Sequence, residues 1–448
     1  MGKLFGTDGV RGLANAELTP ELAYSLGKAG AYVLSKGAKA STVIVGMDTR
    51  LSKDMLESAL IAGMCSVGAN IIRSGVIPTP AIAYLVKKYN CDAGVMITAS
   101  HNPYYDNGIK FFSSEGYKLS DEIEDEIEDF MNKLGDIPNA LNGAIGSCSE
   151  SLTAMDDYVD HVINTIPVDN FDGLKIALDC ANGATYLAAP SLFRKFGVNA
   201  YAMSIEPDGI NINNKCGSTH MSALADYVRA NKMDIGLAFD GDGDRMLAVD
   251  ENGTIIDGDQ IMSIIGNDMK ARGVLKNNTM VVTVMSNLGF MLMGEKLGIN
   301  IETTKVGDRY VLERMLEAKH SIGGENSGHI IFSDFATTGD GLLSAVQLIS
   351  VLKRSGKKLS ELNAYMELLP QVLINAKVAN DKKDACLKSP VIADEIAKLE
   401  ERFKGAGRVL IRPSGTEPKI RVMIEGKDQD EITREAKRIA DMIEKMFG

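Results

Sequence analysis

Three aspartates alternate with glycine in Asp240-Gly241-Asp242-Gly243-Asp244, and Arg245 follows directly. They come after the apolar run Ile235–Phe239. Hard divalent cations take oxygen ligands, and glycines let the backbone fold around an ion. Three carboxylates this close repel one another unless a cation sits among them. The pattern reads as a metal loop in preference to a turn of solvated aspartates. A calcium-binding EF-hand is the rival reading. With Asp240 in the first position, acids fall at the third and fifth positions and Glu251 at the twelfth. The sixth position calls for glycine but holds Arg245, and residues 246–249 read as strand where a helix is needed.

A second motif, Thr98-Ala99-Ser100-His101-Asn102-Pro103, follows the buried run at residues 94–97. That puts Ser100 at the end of a strand, where α/β sheets place their ligands. No GxSxG elbow or oxyanion-hole motif accompanies it, which disfavours acyl transfer. A phosphoryl carrier needs a divalent metal, cations and a proton acceptor instead. Arg11 in Phe5-Gly-Thr7-Asp8-Gly-Val-Arg11-Gly12 and Lys110 in Asn107-Gly-Ile-Lys110 are candidate cations. A lysine is usually a solvated surface charge, and it acts as a base only where neighbours lower its pKa.

Gly323-Gly324-Glu325-Asn326-Ser327-Gly328-His329 pairs Glu325 and Ser327 in a way that suits sugar hydroxyls. His329 titrates in the range where it serves as acid or base. Arg412-Pro413-Ser414-Gly415-Thr416-Glu417-Pro418 supplies a guanidinium, two hydroxyls and the amides around Gly415, a cradle for phosphate.

These residues need a scaffold, and the 448-residue chain has material for several cores: 45% of it is hydrophobic and 24% charged. Its net charge of −12 argues against nonspecific nucleic-acid binding and against an anionic membrane surface. Six scattered cysteines without a CxxC pair fit a reduced, intracellular chain. No apolar run approaches the ~18 residues of a membrane span. The N-terminal residues lack the apolar core of a signal peptide, and Gly6 stands where myristoylation of Gly2 wants Ser or Thr. A cytoplasmic protein is expected.

The element pattern is strand, small-residue loop, helix, strand. Thr19-Pro20 opens a helix that Gly37 closes, and residues 52–67 form another. Gly68-Ala-Asn70, Gly197-Val-Asn199 and Gly298-Ile-Asn300 each follow a strand and a helix and lead into a strand. Three copies predict three related α/β domains with mixed sheets. The expected segments are 1–150, 151–253, 254–369 and a smaller α+β domain, 370–448. A linker is expected at residues 135–150, and a break after Glu251-Asn252-Gly253. The acidic stretch 121–129 reads as the solvated face of a helix capped by Ser120. The last helix is expected to bury Ile432, Ala436, Ile439, Ile443 and Met446.

Together the four motifs, in this order along essentially the whole chain, resemble the α-D-phosphohexomutase family. The resemblance implies four domains around a central cleft, in agreement with three repeats and a different fourth domain. The segments at residues 5–12 and 306–311 point to members acting on a 2-amino sugar. So does Asn326, where members acting on mannose and glucose phosphates typically carry Met.

Carried over, the resemblance implies a phosphoserine at Ser100. It implies Mg²⁺ held by Asp240, Asp242, Asp244 and an oxygen of that phosphoserine. Glucosamine 6-phosphate would pass through glucosamine 1,6-bisphosphate to glucosamine 1-phosphate, on the way to UDP-N-acetylglucosamine and cell-wall precursors. Arg11 and Arg245 would offset charge, and Lys110 and His329 are the acid–base candidates. Glu325 and Ser327 would hold the sugar, and Arg412, Ser414, Gly415 and Thr416 the phosphate that is not reacting. The alternatives are the same chemistry on glucose or mannose phosphates, a metal-dependent phosphatase, or a non-catalytic protein that binds metal and sugar phosphates. The sequence leaves a homodimer open.

Overall fold

The structure, a computed structural model, describes residues 4–6, 8–35, 41–168, 170–414 and 417–448. Of the residues singled out above, Gly2, Thr7, Gly37, Gly415 and Thr416 lie outside the described residues. The chain divides into two compact units, Met1–Met285 with Asn300–Ala364, and Ser286–Ile299 with Tyr365–Gly448.

The first unit uses one strand plan three times. The first copy runs β1 (Val10–Leu13), α1 (Pro20–Leu34), β2 (Thr42–Met47), α2 (Lys53–Ser66), β3 (Asn70–Val76), α3 (Thr79–Lys88), β4 (Ala93–Ile97), β5 (Asp106–Ser113), α4 (Asp121–Met131) and β6 (Cys148–Glu150). The second runs α5 (Ala154–Ile163), β7 (Ile176–Asp179), α6 (Thr185–Lys195), β8 (Tyr201–Met203), α7 (Ser222–Asn231), β9 (Ile235–Phe239), β10 (Met246–Asp250) and β11 (Ile255–Ile256). The third runs α8 (Gly258–Ala271), β12 (Thr279–Thr283), α9 (Leu288–Leu297), β13 (Asn300–Thr304), α10 (Asp308–Ala318), β14 (Ile322–Gly324), β15 (Ile330–Phe332), α11 (Gly341–Ser355) and α12 (Leu359–Asn363). Of these, α9 belongs to the second unit.

The shared strands lie in the same order in each sheet: β5-β4-β2-β3, β10-β9-β7-β8 and β15-β14-β12-β13. Three are parallel and the first-named is antiparallel to its neighbour. A Gly-x-Asn turn precedes the second parallel strand every time, so the expected repeat is present as topology. The repeat has a functional consequence. The turn from the last parallel strand into its antiparallel partner carries Ser100 in the first copy, Asp240 to Arg245 in the second, and Glu325 to His329 in the third. Strands β4, β9 and β12 are buried along their whole length. Strands covered on both faces read as unbroken apolar runs, which is why they were legible in the sequence.

Helices α1 and α2 meet backbone to backbone. A β-carbon on Gly63 would stand 2.1 Å from the Tyr24 carbonyl oxygen. Helix propensity favours alanine there by about 1 kcal/mol, but overpacking a tight contact costs about 1–3 kcal/mol. Gly63→Ala is therefore expected to destabilise the protein by up to about 2 kcal/mol in urea unfolding. A stabilised variant would mean that the two helices part freely.

Several expectations need correcting. Residues 135–150 are not a plain linker. They hold two 3-10 turns and strand β6, which pairs with β3, and Gly146 N donates to Cys65 O at 3.0 Å. The expected break after Gly253 is not overturned: it falls in the hairpin that joins β10 to β11, at the end of the second copy. The strand expected at residues 246–249, by contrast, is present: β9 and β10 form an antiparallel pair, so the aspartate loop lacks the flanking helices of an EF-hand. Ser120 occupies the N-cap of α4 without a side-chain cap bond. The face of α4 is not wholly solvated either, because Glu128 accepts from the amides of Leu4 and Phe5.

The second unit holds β16 (Gln371–Lys377), α13 (Lys383–Leu387), α14 (Pro390–Phe403), β17 (Gly407–Pro413), β18 (Lys419–Gly426) and α15 (Gln429–Phe447). Its antiparallel sheet has the order β16-β18-β17. Asp428 caps α15 by accepting from the amides of Asp430 and Glu431. Ile432, Ala436, Ile439 and Ile443 are buried as expected, but Met446 is 43% exposed. Phe447, the larger apolar side chain of that last turn, packs against the core instead. Among the described residues, no helix is long and apolar enough to cross a membrane.

Candidate active site

Ser100 stands three residues beyond β4, buried, in the left-handed region with φ +51°. A non-glycine residue held there marks a turn under local constraint. Its amide donates to Thr98 Oγ1 at 2.9 Å, and its hydroxyl donates to Asp240 Oδ2 at 2.7 Å. The Ser100 loop of the first copy therefore touches the aspartate loop of the second. The approach is close, since a β-carbon on Gly241 would stand 2.5 Å from the Ser100 carbonyl oxygen. That explains the glycine between the first two aspartates. His101 Nδ1 lies 3.4 Å from Ser100 Oγ. Burial lowers the His101 pKa, and Arg245 and Arg11 lower it further.

Asp240, Asp242 and Asp244 are all buried and each offers an oxygen within 4.8 Å of the others. Asp242 Oδ1 and Asp244 Oδ1 are buried without a hydrogen-bond partner. Burial pushes the Asp240 carboxyl well above its ordinary range, with the charges of Asp244 and Asp242 adding to it. Burial acts the same way on Asp242, but the charge and hydrogen bond of Lys110 outweigh it and hold that carboxyl low. Thr79 Oγ1 also donates to Asp242 Oδ2, at 2.7 Å. An all-oxygen donor set with two orphaned carboxylate oxygens fits a hard divalent cation.

Lys110 Nζ lies 2.9 Å from both Asp242 Oδ2 and Asp8 Oδ2. Burial opposes its charge, yet Asp242 and Asp8 together raise its pKa. A lysine serving as base needs the opposite shift, so Lys110 stands as a fixed cation. It opens a chain of alternating charges. Lys118 Nζ reaches Asp8 Oδ1 at 2.7 Å and Asp308 Oδ2 at 2.6 Å. Asp308 Oδ2 in turn lies 3.6 Å from His329 Nε2. Burial works against the Asp308 charge, but Lys118 and His329 hold the carboxyl at about 2. The chain closes on the aspartate loop, where His329 Nε2 is 3.9 Å from Asp244 Oδ2. Arg11 pairs with Asp8, and Arg245 Nε lies 3.7 Å from Asp244 Oδ1. In the loop at residues 323–329, Glu325 Oε2 accepts from Ser327 Oγ at 3.4 Å and Glu325 Oε1 accepts from Gly307 N at 3.2 Å.

These contacts bring Arg11, Ser100, Lys110, the three aspartates, Arg245, and the Glu325, Ser327 and His329 loop into the first unit. Sequence reasoning missed Asp8, Thr79, Lys118 and Asp308 as members. Asp8 and Asp308 lay inside segments already singled out. Lys118 carries no local signal, because its partners are distant in the chain.

Arg412 and Ser414 belong to the second unit. Arg412 stands directly opposite Arg421 across β17 and β18. Like charges facing each other in a sheet are unfavourable unless an anion joins them. Lys383 Nζ donates to the carbonyl oxygens of Ser414 and Glu417, at 2.6 and 2.7 Å, bracketing this loop.

Asp340, the N-cap of α11, borders the site: it follows Gly339, whose amide donates to His329 Nε2 at 3.3 Å. It accepts from Tyr158 OH at 2.9 Å, and burial pushes its carboxyl up to about 6. The native state keeps this proton to a higher pH than the unfolded chain. Asp340's contribution is therefore complete below the ordinary carboxylate range and is lost as pH rises through about 6. Asparagine keeps the acceptor without the charge. Asp340→Asn is expected to gain on the wild type by about 1.4 kcal/mol between about pH 5 and pH 8, roughly one pKa unit's worth. Urea unfolding at the two pH values checks it, and a constant difference would contradict it.

Comparison with known proteins gives four family matches in chain order. They are phosphoglucomutase/phosphomannomutase alpha/beta/alpha domain I over residues 2–137, domain II over 156–253, domain III over 257–369 and the C-terminal domain over 373–442. A phosphoglucosamine mutase of Ruminiclostridium cellulolyticum is 60% identical over 446 residues, 99% of each chain. Among solved structures, a phosphoglucomutase/phosphomannomutase family protein of Burkholderia thailandensis superposes with a TM-score of 0.81 at 23% identity, over 100% of this chain and 98% of its own. The N-acetylphosphoglucosamine mutase of Aspergillus fumigatus, solved with GlcNAc-6P and magnesium, gives 0.68 at 19%, over 99% and 96%.

Proposed function

The chain belongs to the phosphoglucomutase/phosphomannomutase family, and from that premise we propose that it is an isomerase interconverting glucosamine 6-phosphate and glucosamine 1-phosphate, the activity of a phosphoglucosamine mutase. The observation that carries the chemistry is the Ser100 hydroxyl 2.7 Å from Asp240, at the edge of a buried aspartate triad. The choice of an amino sugar rests on full-length likeness to relatives of that name.

In the proposed reaction, Ser100 carries the phosphoryl group. Its P–Oγ bond breaks as a P–O bond forms to the 1-hydroxyl of glucosamine 6-phosphate. The hydroxyl proton goes to His329, and Lys110 gives a proton to the departing Ser100 oxygen. The resulting 1,6-bisphosphate turns around, and the P–O bond at its 6-oxygen breaks as one forms to Ser100 Oγ; the Ser100 proton returns to Lys110, His329 gives its proton to the departing 6-oxygen, and the 1-phosphate leaves. Asp240, Asp242 and Asp244, with an oxygen of the phosphoserine, would hold Mg²⁺, which supplies Lewis-acid neutralisation of the phosphoryl charge. Arg245 and Arg11 add fixed positive charge where the transfer spreads negative charge. Glu325 and Ser327 hold the hydroxyls that stay in place as the ends exchange. Arg412, Ser414, Gly415 and Thr416 hold the phosphate that is not reacting. On this reading segments 1–150, 151–253, 254–369 and 370–448 carry phosphoserine, metal, sugar and phosphate in turn.

The test is a panel of glucosamine, glucose and mannose 6-phosphates with Mg²⁺ and a trace of sugar 1,6-bisphosphate. Glucosamine 6-phosphate is expected to lead in kcat/KM by about tenfold or more, or about 1.4 kcal/mol of transition-state preference. A lead for glucose or mannose would reassign the sugar.

A further inference from the structure

Arg50 is a wholly buried arginine on the turn between β2 and α2, and the mechanism above gives it no part. Its Nε donates to Asp48 Oδ2 at 2.8 Å. Its Nη2 donates to the carbonyl oxygens of Ser100 and Asn102, both at 2.9 Å. Its Nη1 donates to the carbonyl oxygens of Pro103 and of Asp106, the latter at 3.0 Å. All five N–H groups of the guanidinium are engaged, four of them on the backbone of the loop that carries Ser100. The amide side of that loop is tied to the same pair. Ser100 N–H donates to Thr98 Oγ1, and Thr98 Oγ1 donates to Asp48 Oδ2 at 2.7 Å. From the second repeat, Asn213 Nδ2 donates to the Ser100 and Asn102 carbonyl oxygens at 2.9 and 3.1 Å.

A buried guanidinium is costly to desolvate, and one carboxylate, Asp48, balances it here. Its planar fork meets several carbonyls at once, which a lysine ammonium cannot do in one geometry. The contacts lie on the main chain, so they do not depend on what the serine oxygen carries. We propose that Arg50 is the positioning residue of the nucleophile loop, fixing the left-handed turn at Ser100 so that its oxygen faces Asp240 in both the free and the phosphorylated state. This rests on the phosphoserine reading above. Arg50 touches no reacting atom, and its effect is on alignment alone.

The experiment compares wild type, Arg50→Lys and Asn213→Ala with glucosamine 6-phosphate, Mg²⁺ and sugar 1,6-bisphosphate, following product and released inorganic phosphate. Circular dichroism and thermal melting report folding. Arg50→Lys is expected to lose about 10²-fold in kcat with KM changed less than about threefold, the signature of a misaligned reacting group. The fraction of phosphoryl groups lost to water should rise with it. Asn213→Ala is expected to lose about tenfold in kcat in the same pattern. A folded Arg50→Lys protein with wild-type kcat and phosphate release overturns the proposal. If that variant does not fold, a folded Asn213→Ala protein with wild-type kcat overturns it instead. A wild type inactive on every sugar phosphate overturns the phosphoserine reading itself, and that is seen before any variant is compared.

Discussion

Replacing Ser100 by alanine is expected to abolish turnover while leaving the fold and the metal site in place. The hydroxyl is the only group of this side chain that can carry a phosphoryl group, and no neighbour in the loop replaces it. Removal of a covalent nucleophile from other enzymes costs on the order of 10⁶-fold in kcat, and a loss of that order is the expectation here. The structural cost is small by comparison. Alanine loses one hydrogen bond to Asp240, worth about 1 kcal/mol, and must keep the left-handed turn at φ +51°. Ser100→Ala should therefore melt within a few degrees of wild type and still bind Mg²⁺ through Asp240, Asp242 and Asp244, though more weakly than the phosphorylated wild type, whose phosphoserine adds an oxygen. A coupled assay for sugar 1-phosphate and calorimetric titration of Mg²⁺ check the two halves. Turnover near the wild-type rate would remove the covalent mechanism, and a large drop in melting temperature would make Ser100 a structural residue.

The second large effect belongs to Asp242, which has two partners in the protein and one orphaned oxygen. Its Oδ2 accepts from Lys110 and Thr79, while its Oδ1 is buried without a partner. Asparagine in its place removes a charged ligand and leaves Lys110 paired with Asp8 alone. A metal acting on phosphoryl charge supplies several kcal/mol, and each 1.36 kcal/mol is tenfold in rate. Asp242→Asn is therefore expected to lower kcat by about 10³-fold or more. Chelation of the wild type should match it, with activity restored by Mg²⁺. A melting experiment separates metal binding from catalysis. Mg²⁺ should raise the melting temperature of the wild type by binding only the native state, and should do so much less for the variant. Full activity in a chelator, or an unchanged Mg²⁺-dependent shift in Asp242→Asn, would contradict the assignment.

What could be read in the sequence follows from where each signal sits. The aspartate loop was legible because carboxylates alternate with glycine after an unbroken apolar strand, and the Ser100 loop because a run of polar residues follows another such strand. The three Gly-x-Asn turns revealed the repeat because each closes a helix in the same place. The sequence did not reveal that the serine, metal and sugar loops occupy one equivalent turn of that repeat. Their equivalence depends on strand order, which local pattern does not encode. The chain from Lys110 through Asp8, Lys118 and Asp308 to His329 was hidden for the same reason, as its members come from different copies. Arg50 was hidden differently. An arginine at a helix start ordinarily points to solvent, and only its four backbone carbonyl partners mark it as interior. Met446 failed for a simpler reason, since its neighbour Phe447 competes for the same apolar surface and is larger.

The most direct test of the central claim is phosphorus NMR of the purified protein with Mg²⁺, a trace of sugar 1,6-bisphosphate and glucosamine 6-phosphate. Glucose 6-phosphate is run in parallel. The expected spectrum shows a protein phosphoserine resonance and a 1-phosphate signal that grows as the 6-phosphate falls, faster for the amino sugar, with little inorganic phosphate. Inorganic phosphate as the main product, or conversion without any phosphoserine in the protein, would contradict it.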